Sequence, residues 1–129
     1  MKFQTIRAEH FSGSIFLGLF RNYSEVLISK ESVYRFIQLY QRNLIRSKSI
    51  YLSAAITEMD IVLSGQIEPH LQIRFINYPR FRLSKEDLKK SIIELAKELI
   101  LEFDQNRLVV ELFDEVIMLE QSQNIDPVI

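Results

Sequence analysis

The sequence predicts an α+β domain, a two-layer sandwich of two β-α-β halves with extra strand extensions. Three observations predict it. Ile and Leu fill about a quarter of the 129 residues, against three Gly and three Pro, so regular elements with short connections dominate. Apolar residues recur with helical period in two segments and with period two in the segments between them. Finally, sliding the chain along itself until Ile15, Leu17 and Leu19 fall on Leu71, Ile73 and Phe75 repeats the whole pattern. In that alignment Phe36 and Ile37 meet Ile92 and Ile93, and Leu52, Ala54 and Ile56 meet Leu108, Val110 and Leu112.

The elements follow in order. Residues 14–20 are an apolar run with β-branched and aromatic content, a first strand. After a polar stretch with Asn22 and Ser24, Ser29 is placed to cap a first helix. Val33, Phe36, Ile37, Tyr40 and Leu44 share one face of that helix, and Arg35, Gln38, Arg42 and Arg46 the other. Residues 50–57 alternate, with Ile50, Leu52, Ala54 and Ile56 on one side. Glu58-Met59-Asp60 interrupts this run, as a bulge or a turn, before Ile61-Val62-Leu63 resumes it. Ser64-Gly65 is a turn signal. Residues 71–76 are a third strand with Leu71, Ile73 and Phe75 inward, ended by Asn77-Tyr78-Pro79 because proline cannot donate to a ladder.

Ser84 with Asp87 three positions on marks the start of a second helix. Leu88, Ile92, Leu95, Ala96, Leu99 and Phe103 form its stripe, Ile93 and Ile100 widen it, and Asp104-Gln105-Asn106 ends it. Residues 108–119 are strand-like again, broken at Asp114-Glu115. Residues 1–120 make one domain, and the polar tail 121–129 is expected to fray or to dock on a neighbour.

The bulk properties exclude several chemistries. With no Cys, thiolate metal sites, disulfides and cysteine nucleophiles are out. His10 and His70 are too few for a multi-histidine metal site in one chain, so neither a metal nor another cofactor is expected. No apolar leader and no run approaching the ~20 residues of a membrane span occur, so a cytoplasmic protein without a membrane partner is expected. A net charge of −1 argues against nucleic acid as a partner. Residues 30–48 and 74–90 are basic and residues 91–120 acidic, an asymmetry through which copies of the chain can pair.

The element order fits the ferredoxin-like sandwich and the tautomerase superfamily alike. Over residues 60–119, Ser64-Gly65-Gln66 before a strand, the long helix from Ser84, and Arg107 opening Leu108-Val109-Val110-Glu111-Leu112-Phe113 resemble the carboxymethyl-hydroxymuconate isomerase branch of that superfamily. The resemblance implies a fold and a tendency to form trimers. That family's catalytic N-terminal proline has no counterpart in Met1-Lys2, so no catalytic residue carries over.

Two constellations offer chemistry. Glu68 and His70 flank Pro69, and residues two apart on a strand share a face, so they form a candidate acid/base pair. The plainer reading is a turn proline between polar residues. Arg74, Arg80 and Arg82 surround Asn77-Tyr78-Pro79, a candidate anion site with Tyr78, since guanidinium forks suit carboxylate or phosphate. The plainer reading there is ion pairing with the acidic segments. The glycines at 13, 18 and 65 make no phosphate loop.

Apolar residues also fall on the second sheet face, at Tyr51, Ala55, Val62, Val109, Phe113 and Ile117. A surface of that kind needs a cover, and a symmetric homo-oligomer, dimer or trimer, supplies one. No set of residues combines nucleophile, base and orienting group. The sequence is therefore expected to encode a self-associating interaction or assembly domain without catalysis. The alternative is a tautomerase-like isomerase, or a binder of a small anionic ligand, with a pocket at a subunit junction lined by Arg74, Tyr78, Arg80 and His70.

Overall fold

The protein is described here by a computed structural model covering residues 1–22 and 24–121. Its elements are β1 (Ser12–Gly18), α1 (Lys30–Lys48), β2 (Ala55–Leu63), β3 (Gln66–Ile76), a 3-10 turn (Pro79–Phe81), α2 (Lys85–Glu102), β4 (Arg107–Leu112) and β5 (Val116–Glu120). One five-stranded sheet has the order β2-β3-β1-β4-β5, every described pair antiparallel. β1 and β2, joined through α1, are separated by β3; β3 and β4, joined through α2, are separated by β1. This is the split β-α-β arrangement of the ferredoxin-like order, with β5 added at one edge.

Both predicted helix starts form as the local chemistry requires. Ser29 Oγ accepts from Ser32 N at 3.2 Å, and Ser84 Oγ from Asp87 N at 3.1 Å. The predicted stripes face the sheet. Val33, Ile37 and Leu44 of α1 and Leu88, Ile92, Leu95, Ala96 and Leu99 of α2 are buried. They pack over Ile15, Leu17, Leu71, Ile73, Phe75 and Val110, which alternation places on one sheet face.

Four expectations change. Residues 50–54 are not strand, although Leu52 is buried and its carbonyl accepts from Gln41 Nε2 at 2.9 Å. β2 instead runs unbroken through Glu58-Met59-Asp60, paired in register with Leu71, His70 and Pro69. The carboxylate is tolerated because Glu58 meets Lys30 Nζ of α1 at 3.1 Å. β3 begins earlier than periodicity suggests, because Ser64 and Gly65 have φ of 54° and 75° and close a two-residue hairpin. In the second half Asp114-Glu115 does form a turn, so β4 and β5 make a hairpin where the first half keeps one long strand. Ile117 then lies opposite Val110 and packs toward the helices, not on the second face.

The basic and acidic stretches also meet within the chain: Lys48 lies 3.7 Å from Glu94, and Lys89 lies 2.6 Å from Glu115 and 3.4 Å from Asp114. Of the tail, Gln121 is held to Asn106 and Gln105; residues 122–129, whose fraying or docking the sequence suggests, lie outside the described residues.

Candidate functional site

The sheet face away from the helices carries a cavity of about 690 Å³ at one pole. That pole collects the end of β1, the start of β3, the start of β4 and the segment after β1. Leu19 N donates to Pro69 O, and Ile28 N to Leu19 O, which brings Ile28 back beside Leu19 at the sheet end. Phe20 pairs with Leu27 in an isolated bridge. Phe20, Asn22 and Ser24 of this segment thereby become one wall, while Phe16, Val109 and Met118 supply apolar floor.

Pro69 sits inside β3 without breaking it. Its carbonyl points to Leu19, beyond the end of β1, so its missing N–H falls where β1 has stopped and no ladder bond is lost. As a result Glu68 and His70 are both on a strand and on the same face, and both line the cavity. His70 is paired across β1 with Gly18 and across β2 with Met59.

Gln105 completes the cluster. α2 closes with Phe103 N bonded to Leu99 O and Gln105 N to Ile100 O, while Asp104 takes a left-handed φ of 50°. This turn aims the Gln105 side chain at the cavity, where it is 7% exposed. Its Nε2 donates to Phe20 O at 2.9 Å and to Phe103 O at 3.0 Å. Both amide protons are thus engaged, and Oε1 is the atom left to face the cavity.

The focus of these groups is Gly18. A Cβ there would lie 3.1 Å from Glu68 Oε1, 3.1 Å from Gln105 Oε1 and 3.6 Å from His70 Nε2. The missing Cβ lets these polar atoms close in over the Gly18 backbone at the cavity wall. His70 Nδ1 lies 3.1 Å from Glu68 O. A carbonyl only accepts, so Nδ1 carries a proton toward Glu68 O and Nε2 is the nitrogen turned to the cavity. A carboxylate, an amide oxygen and an imidazole nitrogen therefore converge over Gly18. Asn22 Oδ1, also lining the cavity, is a buried acceptor with no hydrogen-bond partner among the described residues. Arg107 lines the cavity from β4.

The other predicted residues are elsewhere. Arg74 lies further along the open face, in a shallower hollow of about 350 Å³ with Gln72, Glu111 and Glu115. Tyr78, Arg80 and Arg82 stand at the opposite end of β3. The Phe81 ring stacks on Tyr51 at 4.3 Å, Tyr78 lies 6.2 Å from it, and the Arg80 guanidinium sits over it at 5.5 Å. Arg82 Nη1 donates to Arg7 O at 2.9 Å. The expected pocket of Arg74, Tyr78, Arg80 and His70 does not assemble, because β3 holds its two ends apart. Gly18, Asn22 and Gln105 were missed by sequence reasoning; the one available signal was a glycine interrupting an otherwise apolar strand. Among the described residues no group of three or more His, Cys, Asp or Glu is placed to hold a metal ion, and no helix is long and apolar enough to cross a membrane.

No protein-family model and no curated protein sequence matches the chain. Two solved structures share its fold. A phage SAM lyase in the apo state is 23% identical with a TM-score of 0.72, covering 95% of this chain and 98% of its own. A phage SAM lyase in complex with S-methyl-5′-thioadenosine is 22% identical with a TM-score of 0.68, covering 97% of this chain and 100% of its own. Both neighbours are enzymes, so this fold accommodates catalysis. That finding corrects the expectation of a non-catalytic assembly domain, and with it the alternative of a tautomerase-like isomerase or anion binder.

Proposed function

We propose that this protein is a lyase acting on S-adenosylmethionine or a closely related 5′-thioadenosine sulfonium, bound in the cavity above Gly18. The observation that carries the reading is the convergence of Glu68, His70 and Gln105 over Gly18 in the wall of the cavity. The cavity volume lies within the range that encloses a nucleoside-sized ligand. Aromatic and thioether side chains, Phe16, Phe20 and Met118, suit a purine and a sulfur centre. Asn22 Oδ1 is an acceptor that a ligand donor would satisfy, recovering the roughly 1–3 kcal/mol that an orphaned buried polar atom costs.

In the proposed reaction the bond from the sulfonium to the amino-acid side chain breaks. Its electron pair passes to sulfur while an oxygen of the substrate's own carboxylate forms the new bond to that side-chain carbon, so neutral 5′-methylthioadenosine and a lactone that keeps the ammonium group leave, with no water or enzyme nucleophile consumed. Positive charge disappears from sulfur on the way to the transition state, so apolar walls around that atom favour the transition state over the ground state. Glu68 serves to hold the ligand rather than to attack it.

The test is incubation of the purified protein with S-adenosylmethionine, followed by mass spectrometry. Formation of 5′-methylthioadenosine, with no oxygen from labelled water in the other fragment as first formed, is expected. No product above the uncatalysed rate would refute the reading.

A homo-oligomer, dimer or trimer, belongs to the same reading. Val62, Leu63 and Ile67, at the tip of the β2–β3 hairpin beside the cavity, are each more than 60% exposed, and large exposed apolar groups clustered at one edge call for a cover. Light scattering is expected to give a mass above 15.3 kDa by a whole-number factor.

A further inference from the structure

We propose that the corner of the sheet where β2 begins and β3 ends, at the far end from the cavity, is a docking surface for single-stranded nucleic acid. Residues 32–57 and 69–85 contain no Asp or Glu and four Lys or Arg each. The two stretches meet at this corner. Tyr51, from the segment after α1, stacks on Phe81 of the 3-10 turn, with ring centroids 4.3 Å apart and planes 19° from parallel. Tyr78 lies 6.2 Å from Phe81 at 17°, and the Arg80 guanidinium sits 5.5 Å from the Phe81 centroid. The three rings are 38–46% exposed. Arg46, Arg80 and Arg82 are exposed as well, and among the described residues none of them makes an ion pair.

Near-parallel rings beside unpaired guanidinium groups match a strand of nucleotides. A base adds its own plane to a stack of rings, and the phosphates beside it supply the anions that the arginines lack. Bases in a duplex are already stacked on their neighbours, so the surface selects single strands. An anionic lipid surface gains nothing from parallel ring planes, and an acidic peptide brings charge without a flat ring. The net charge of −1, which counts against nucleic acid as a partner, averages over the whole chain. Glu58 is held by Lys30, and Asp114 and Glu115 are held by Lys89 at the β4–β5 edge of the sheet. Glu86 and Asp87, in the first turn of α2, are the acids that end the basic stretch.

Fluorescence anisotropy with a short labelled oligothymidylate and an abasic strand of the same length tests the surface. The wild-type protein is expected to bind the oligothymidylate about fivefold or more tighter than the abasic strand, because only the former can stack. Phe81→Leu keeps an apolar side chain and removes the flat ring. It is expected to abolish most of that preference and to leave abasic binding unchanged, with thermal unfolding confirming that the variant is folded. Arg80→Gln is expected to weaken both strands and to lower the slope of log affinity against log salt by about 0.7, one phosphate contact on a single strand. No binding of the oligothymidylate, or equal binding of the two strands, would overturn the proposal. A base preference that survives in folded Phe81→Leu, or a salt slope unchanged in Arg80→Gln, would overturn its location. Binding of phosphatidylglycerol vesicles or polyglutamate with the oligothymidylate left free would overturn it in favour of a membrane or an acidic protein.

Discussion

Gly13 and Gly18 stand on the same strand and face opposite sides of the sheet, and the same missing side chain serves different ends at the two places. At Gly13 the absent Cβ lets α2 approach: an added one would lie 2.8 Å from Ile92 Cδ1, 3.0 Å from Leu112 Cδ2 and 3.3 Å from Glu111 O. The space is already filled by protein, on a face where packing is continuous. At Gly18 the neighbours are the polar ends of Glu68, Gln105 and His70, which line the cavity. One face is closed by helices and concentrates stability. The other is open at one pole and gathers polar groups around a cavity.

This contrast makes graded predictions. The largest effect belongs to the covered face. Leu95 is fully buried between α2 and the sheet, and Leu95→Ala is expected to cost about 2–5 kcal/mol in urea unfolding. Gly13→Ala comes next, at about 1–3 kcal/mol, because rigid side chains and a backbone oxygen must move to admit the methyl group. Gly18→Ala is expected to cost less, about 1 kcal/mol, since Glu68 is exposed and its carboxylate can swing away, which leaves only Gln105 Oε1 to give way. If Gly18→Ala destabilises as much as Gly13→Ala, the two faces are built alike and the contrast fails.

The smallest effect is at high pH. Burial raises the Tyr40 phenol above its ordinary 10.0, with the Glu94 and Glu98 carboxylates adding to the shift. The Glu58 hydrogen bond and charge raise Lys30, and the Glu115 hydrogen bond raises Lys89 against some desolvation, both from 10.5. A group with a raised folded-state pKa adds stability below its unfolded pKa and loses it as pH climbs through the folded value. Stability is therefore expected to decline above about pH 10. Tyr40→Phe should flatten part of that decline in a pH series of thermal unfolding, whereas cavity variants should leave it unchanged.

Local chemistry made much of the fold readable. Ser29 and Ser84 cap their helices through bonds three residues long, and the buried stripes of both helices repeat at helical spacing, so both are visible in a short window. The continuity of β2 was not, because Glu58 is accommodated by Lys30 from a different element. The site was readable only in part. Glu68 and His70 are close in the chain and share a face whenever Pro69 stays in the strand, which depends on where β1 ends. Gln105 and Gly18 are brought to them by the sheet order alone. The arginines of residues 74–82 were attractive as a cluster in sequence, but an extended strand separates what the sequence lists side by side.

The most direct measurement is the formation of 5′-methylthioadenosine from S-adenosylmethionine by the wild-type protein and by Gly18→Ala, with circular dichroism confirming that both are folded. The account predicts steady product formation by the wild type and a loss of about tenfold or more in the variant. A wild type that forms no product, or a folded Gly18→Ala protein that matches it, would contradict the account.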